Sequence, residues 1–397
     1  MKKEKIVRKR HVFWFCFLKA LVLPVIWLFK GYRLKNKFDN RKQNVIVISN
    51  HQTDIDSIYI SFHFRRTIHF LMTDSVTSNV KIYKLLSHIF APITKKKGTK
   101  DTASVIKMMQ TAREGGTIGL FPEGNRYYAE FQYPVTDSMS KLIKRIGIPI
   151  VLFNLHGGNG VSPRFKRKNR KGPLYGEIKK VLYPEEYMKM TDEELHNYIM
   201  DSIRVYDSDS NNLYKSKYRA EYLEKMLFVC PKCGVAHKLY SKGEYITCKS
   251  CGLKVEYNEN LHLSSDDPLF KFDRLVDWYD YQRKWVKEYN PNGDDIIFKD
   301  DNVRLYTSNS HEKRKLISEG NIILTANKLT FGSISYDIKD IEMSSVISGS
   351  NFYFSLLDGS TYLVKGKERF NPLKYVLMFN RLDTDMKINE RDIYYTL

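Results

Sequence analysis

Three groups of residues in this 397-residue chain have types and spacings that can do chemistry. The first is Ser49-Asn50-His51-Gln52-Thr53-Asp54-Ile55-Asp56, where an aspartate follows a histidine by five residues. In a turn, that spacing lets the carboxylate hold one imidazole nitrogen. This fixes the tautomer, raises basicity and leaves the other nitrogen as a general base. The second is Phe121-Pro122-Glu123-Gly124-Asn125-Arg126. Its Pro and Gly make a rigid turn that projects Glu123 and Arg126. A guanidinium there can bind phosphate bidentately, and Glu123 can hold that guanidinium or bind an acceptor hydroxyl. The third is Cys230-Pro-Lys-Cys233 with Cys248-Lys-Ser-Cys251, each pair followed by a glycine, Gly234 and Gly252. Two such turns present four thiolates to one tetrahedral Zn²⁺, and the glycines suit a backbone that takes positive φ.

Each group has a plainer alternative. Ten histidines will produce His–Asp spacings by chance, and a satisfied loop histidine is common. Four cysteines could form two disulfides or stay free. No cleavable secretory signal is visible, which disfavours the disulfides. His237 lies between the pairs and reads as a strand residue, since four thiolates already complete a metal shell. Cys16, alone in an apolar run, reads as a buried small hydrophobe.

The elements that must position these residues are short. Val45–Ile48, Gly116–Leu120 and Ile148–Asn154 read as buried strands, the last leading into His156-Gly157-Gly158. A polar cluster at the carboxyl end of a strand, entering a helix, is where α/β sheets place their chemistry. Thr53 or Asp54 is expected to cap the helix that follows.

Asn50-His51-x4-Asp56, then Phe121-Pro-Glu-Gly-Asn-Arg126, then Ile148-Pro-Ile-Val-Leu152, resembles the glycerolipid acyltransferases of the 1-acylglycerol-3-phosphate acyltransferase type. The resemblance covers about residues 40–205. It implies an α/β fold with a membrane-facing N-terminal helical element, and acyl transfer from acyl-CoA or acyl carrier protein to the hydroxyl of a glycerophosphate or lysophospholipid. It assigns the catalytic base to His51 and its orienting partner to Asp56. Acceptor binding falls on the second block, here Glu123, Gly124, Asn125 and Arg126. The third block implies a wall of the acyl and acceptor pocket. A basic residue that the family carries after its second strand is expected among Lys95, Lys96 and Lys97. The chain departs from the pattern at Asn125, where the family usually has Thr. Tyr133–Ser140 also stands where a Phe-Lys-x-Gly run is usual. The chemistry implied needs no metal, so the zinc is expected to be structural.

Sixty-five Lys and Arg against 45 Asp and Glu give a net charge of +20, which calls for a polyanionic partner. Residues 1–42 hold thirteen bases and two acids, or +11, around the apolar stretch Val12–Phe29. Lys19 and Pro24 argue against a straight membrane span. Bases on both flanks suit a helix lying in the interface of an anionic leaflet, with Trp14 and Trp27 at headgroup depth. The expected location is the cytoplasmic face of the cell membrane. A mean hydropathy of −0.44 excludes a polytopic membrane protein, and 42% hydrophobic residues exclude a disordered chain. Arg164–Lys171 holds six bases in eight residues, as either a solvated loop or a second contact with headgroups or an acidic carrier.

The remaining sequence divides the chain. Residues 1–39 read as the membrane-anchoring helix and 40–206 as the α/β acyltransferase domain, closed by a helix opening at the capping box Thr191–Glu194. Residues 207–225 read as a linker with a helix, and 226–258 as the small zinc ribbon. Residues 259–293 hold a linker helix over Phe270–Glu288, and 294–397 a mostly-β barrel. Six alternating strands and a closing helix from Pro372 to Leu382 give that last part a topological resemblance to pleckstrin-homology and GRAM domains. A second functional class stays open: a non-catalytic protein that keeps the fold and binds nucleic acid or protein through the ribbon and basic surface. His51, Asp56, Glu123 and Arg126 together argue against it, so nucleic acid is not the expected partner.

Overall fold

The computed structural model describes residues 5–73, 80–95, 102–132, 135, 137–308, 314–347 and 350–386. These form two compact units. One comprises residues up to Tyr127, Pro134–Val161 and Gly172–Asn212; the other comprises Tyr128–Tyr133, Ser162–Lys171 and Leu213 onward.

The first unit opens with α1 (Lys9–Lys30) and β1 (Tyr32–Leu34). Then come β2 (Ile46–Ser49), α2 (Asp56–Ser61), β3 (Ile68–Thr73), α3 (Val80–Ile89), β4 (Ile93–Lys95), α4 (Thr102–Arg113), β5 (Thr117–Leu120) and α5 (Ser138–Ile146). It ends with β6 (Ile150–His156), the single helical turn α6 (Gly158–Val161), β7 (Leu174–Leu182), the short α7 (Pro184–Tyr187) and α8 (Asp192–Ile203). The sheet order is β1-β7-β6-β2-β5-β3-β4. β2 lies parallel to both β5 and β6, so the chain crosses over it between those strands. Crossings of this kind leave a crevice beyond the carboxyl ends of the strands. The central strands read as unbroken apolar runs because both their faces are covered. Ile46, Ile48, Ile118, Leu120, Ile150 and Leu152 pack with Met108 of α4, Ile143 of α5 and Leu195, Ile199 and Ile203 of α8. The capping box is present as the sequence predicts: the Glu194 amide donates to Thr191 Oγ1 at 3.1 Å, and the Thr191 amide to Glu194 Oε2 at 2.6 Å.

α1 runs unbroken through Pro24 and ends at Gly31, whose φ of 64° suits a residue without a Cβ. His11, Phe15 and Ile26 are buried along one face. Lys19 lies on that face too, and its Nζ donates to the carbonyls of Phe62 at 2.6 Å and Phe64 at 2.7 Å, just beyond α2. The lysine that argued against a straight helix is therefore a docking group. Phe13, Phe17, Leu21, Val25, Leu28 and Phe29 stay exposed. Cys16 is exposed rather than buried, because the docked row passes through Phe15 and Lys19 and leaves it outside.

In the second unit β8 (Leu239–Lys242), β9 (Tyr245–Cys248), β10 (Lys254–Tyr257) and β11 (Leu263–Ser264) form an antiparallel sheet ordered β11-β10-β9-β8. His237 is not in a strand. It sits at φ 63° in the bend before β8, its ring stacked on Phe228 and edge-on to Phe298. α9 (Leu275–Glu288) begins five residues later than the aromatic pattern suggests, because Arg274 takes the extended N-cap conformation. Its Trp278 Nε1 donates to the Val229 carbonyl at 2.9 Å, and Gln282 bonds to Met226 and Phe228.

Seven strands follow: β12 (Phe298–Thr307), β13 (Leu316–Leu324), β14 (Lys328–Phe331), β15 (Ile334–Asp337), β16 (Ile341–Ile347), β17 (Asn351–Leu356) and β18 (Thr361–Lys365). They make one antiparallel sheet, ordered β15-β14-β13-β12-β18-β17-β16, against which α10 (Pro372–Met386) packs. The strand that the sequence pattern misses is β16, whose Ser344-Ser345 pair interrupts the alternation yet is buried.

The basic run after α6 is largely occupied within the second unit. Arg164 donates to the Val346 carbonyl and covers the Tyr128 ring, Arg167 pairs with Glu221, and buried Arg170 donates to the Arg219 carbonyl. Half of the six bases thus serve as internal staples.

Gly119, on β5 between β2 and β3, pairs with Val47 and Phe70. A Cβ there would overlap the Phe70 ring and lie 2.8 Å from Ile68 Cγ2. Gly119→Ala should lower unfolding free energy in urea by about 1–3 kcal/mol; an unchanged midpoint would contradict this packing.

Candidate active site

β2 and β5 end side by side, so the first two sequence blocks emerge together. Asn50 is fully buried: its Nδ2 donates to the Leu155 carbonyl at 2.8 Å and its Oδ1 accepts from the Leu155 amide at 2.9 Å. It ties the end of β2 to β6 and leaves His51 projecting beyond the sheet. The His51 ring stacks on Phe121 with centroids 4.3 Å apart, and Phe121 stacks on Phe70.

His51 Nδ1 and Asp56 Oδ2 are 2.8 Å apart. Asp56 is completely buried at the start of α2 and also accepts from the amides of Gln52 at 2.6 Å and Thr53 at 2.8 Å, and from the Thr53 hydroxyl. A buried carboxylate is tolerable as an anion only when its oxygens are satisfied in this way. The charge is felt nearby. The phenols of Tyr32 and Tyr59 are pushed up, first by burial and then by Asp56. With Nδ1–H donating to Asp56, Nε2 of His51 carries the lone pair, and the side chain keeps 22% of its surface exposed. Thr53 and Asp54 do not cap α2. Ile55 stands at the N-cap without a side-chain bond, while Thr53 serves Asp56.

The second block is stitched to the first. The Tyr127 amide donates to the His51 carbonyl at 2.9 Å, and Arg126 Nε donates to the Gln52 carbonyl at 3.1 Å. Gly124 holds the turn at φ 66°, its amide donating to the Phe121 carbonyl at 3.1 Å. Glu123 and Arg126 are nearly buried and Asn125 is half-buried. Arg126 also meets a carboxylate of the first block, Asp54, at 2.6 Å, a partner that sequence reasoning missed. Lys95 ends β4, the edge strand beyond β3, while Lys96 and Lys97 lie outside the described residues.

Residues 32–154 match the family model described as Acyltransferase. They are an acyltransferase domain. The match spans all three blocks. Among solved structures, the 1-acyl-sn-glycerophosphate (LPA) acyltransferase PlsC from Thermotoga maritima is 16% identical to this chain. That alignment covers 49% of this chain and 92% of the other, with a TM-score of 0.38. A comparison with curated proteins gives no match.

The acyltransferase domain has one more charged group close by. Asp207, in the stretch that reads as linker, is fully enclosed and accepts from the amides of Gly157 at 2.6 Å, Asn159 at 3.0 Å and Gly160 at 3.4 Å. Burial pushes its carboxyl up from 3.8 to about 6, against these amide bonds. Tyr127 and Tyr206 lie beside it. The only signal in the sequence was an acid next to Tyr206 at a helix end.

The second unit brings the four cysteines together, with all Sγ atoms within 4.8 Å of one another. The two turns match: Gly234 and Gly252 take positive φ, and their amides donate to Cys230 at 2.9 Å and Cys248 at 3.0 Å. The cluster can hold a metal ion.

Asp207 gives a pH prediction. Between pH about 4 and 6 the native carboxyl holds a proton that the unfolded chain has released, so stability falls as pH rises through that window and levels above it. In urea titrations, the fall should be on the order of 1–3 kcal/mol and should vanish in Asp207→Asn. Parallel profiles for the two proteins would contradict it.

Proposed function

We propose that this chain is a membrane-associated glycerolipid acyltransferase. It would move an acyl chain from acyl-CoA or acyl carrier protein to the hydroxyl of a glycerophosphate or lysophospholipid. The observation that carries the reading is the 2.8 Å His51–Asp56 pair, open at Nε2, at the end of the central strand with Arg126 joined to the same loop.

A glycerol hydroxyl is a weak nucleophile at neutral pH. His51 Nε2 takes its proton as the oxygen attacks the thioester carbonyl. Asp56 stabilises the imidazolium that forms. When the tetrahedral intermediate collapses, the C–S bond breaks and the leaving thiolate recovers the proton from His51. Arg126, with Glu123, Gly124 and Asn125 shaping its turn, receives the acceptor's phosphate. Exposed Asp54 is the group that phosphate must displace or share.

α1 supports the membrane part of this reading. Its span Lys9–Phe29 is apolar enough to cross a bilayer. Yet one face is docked through Phe15, Lys19 and Ile26, while the apolar remainder is exposed. A helix with one protein face and one lipid face fits the interface better than a free span, and its flanking bases fit the anionic cytoplasmic leaflet.

Zinc is the metal that fits the cysteines. Sγ atoms of Cys230 and Cys251 are 3.6 Å apart, and those of Cys233 and Cys248 are 3.9 Å apart. Bonds of about 2.3 Å to a tetrahedral Zn²⁺ put sulfurs about 3.8 Å apart. The role is structural, in a ribbon beside a β-rich module of pleckstrin-homology or GRAM type. With Arg164, Arg167 and Arg170 occupied internally, the basic run lends little to a nucleic-acid reading.

Purified protein should acylate lysophosphatidate in anionic vesicles, and His51→Ala should cut kcat/KM by about a thousandfold or more. Activity that survives the substitution would remove His51 from its role. No transfer to any glycerophosphate acceptor would remove the whole reading. Elemental analysis should find about one zinc per chain. Cys233→Ser should lose that zinc and lower the thermal midpoint by about 5 °C or more, whereas a metal-free native protein would refute the ribbon assignment.

A further inference from the structure

We infer that Asp207, outside every sequence block, is a positioning residue for the His51 loop. It acts through the Gly157–Gly160 turn and the side chain of Gln52. The inference rests on the acyl-transfer reading of the site.

Three observations join into one chain of contacts. First, the Asp207 carboxylate gathers the amides of Gly157, Asn159 and Gly160. These amides open the one-turn helix α6 and have no carbonyl partner within it, so an acceptor from elsewhere must order them. A buried carboxylate with three such donors fixes the turn far more tightly than water would. Second, the remaining amide of that turn, Gly158, donates to Gln52 Oε1 at 2.9 Å. Gln52 is completely buried and immediately follows the proposed base. Third, the turn and the loop touch so closely that a Cβ on Gly158 would overlap Gln52 Oε1. It would also sit 2.6 Å from Gln52 Cβ and 3.0 Å from Thr53 Cγ2.

The His51 loop is thus gripped from two sides. Asp56 binds the amides of Gln52 and Thr53, and the Asp207-ordered turn binds the Gln52 side chain. His51 itself has one hydrogen bond through its ring and one through its carbonyl, to the Tyr127 amide. The direction of Nε2 therefore depends on the backbone at Gln52. Loosening that backbone misaims the base without touching substrate, and small misplacements cost large factors in rate.

Two measurements on the full-length protein test this. The first is hydrogen–deuterium exchange with mass spectrometry, which needs no activity. Asp207→Ala should speed exchange both in peptides spanning 157–161 and in those spanning 50–55. Faster exchange at 157–161 alone would overturn the inference. Should the alanine variant fail to fold, Asp207→Asn, which keeps one acceptor oxygen, should show the same paired change at smaller size.

The second is a double-mutant cycle on acyl transfer. Asp207→Asn and Gln52→Ala should each lower kcat about tenfold with KM within about twofold. The double variant should lose little beyond either single one, because both act through one contact. Multiplying losses, or a KM effect with kcat unchanged, would overturn it. Wild-type activity that is lost in His51→Ala but unchanged in Asp207→Asn would defeat this inference alone and leave the proposed function standing.

Discussion

The site depends on one buried carboxylate. Asp56 has no contact with water, so its charge has to be met by protein donors, and four groups of one loop supply them. The loop's shape is therefore the shape that satisfies Asp56. His51 is placed as one of those donors, with its other ring nitrogen turned away. Leaving any donor out would strand part of a charge in a low-dielectric interior, which costs more than most single contacts contribute.

The fold makes that loop possible. β2 is flanked on both sides by parallel strands, and its carboxyl end opens into the crevice where the chain changes direction across the sheet. Asn50 locks the strand end to β6, and Arg126 and Tyr127 return from β5 to hold the carbonyls of Gln52 and His51. α1 is attached to the same framework, since Lys19 grips the carbonyls just after α2, the helix that begins with Asp56. The exposed apolar helix and the proposed base thus share a short stretch of backbone.

Much of this was legible in the sequence, because its signals are local. The three buried strands are apolar runs, the Thr191 box caps its helix as written, and the cysteine pairs sit on turns whose glycines take positive φ. What stayed hidden depends on tertiary contacts. Asp207 reads as linker because nothing beside it in sequence shows the turn it will cap. Asp54 reads as a cap because its partner, Arg126, is 72 residues away. Lys19 reads as a break in an apolar helix because its carbonyl acceptors lie 43 and 45 residues on. β16 was missed because two buried serines imitate a loop, and the Arg164–Lys171 run looked free because its acceptors belong to distant segments.

The central claim is that Asp56 holds His51 in the tautomer and direction needed to deprotonate an acceptor hydroxyl. The most direct test is steady-state acyl transfer to lysophosphatidate by Asp56→Asn, which keeps the size of the side chain and removes its charge. The account predicts a fall in kcat of about 10³–10⁴ with KM little changed. A variant that folds and retains kcat within tenfold of wild type would contradict it.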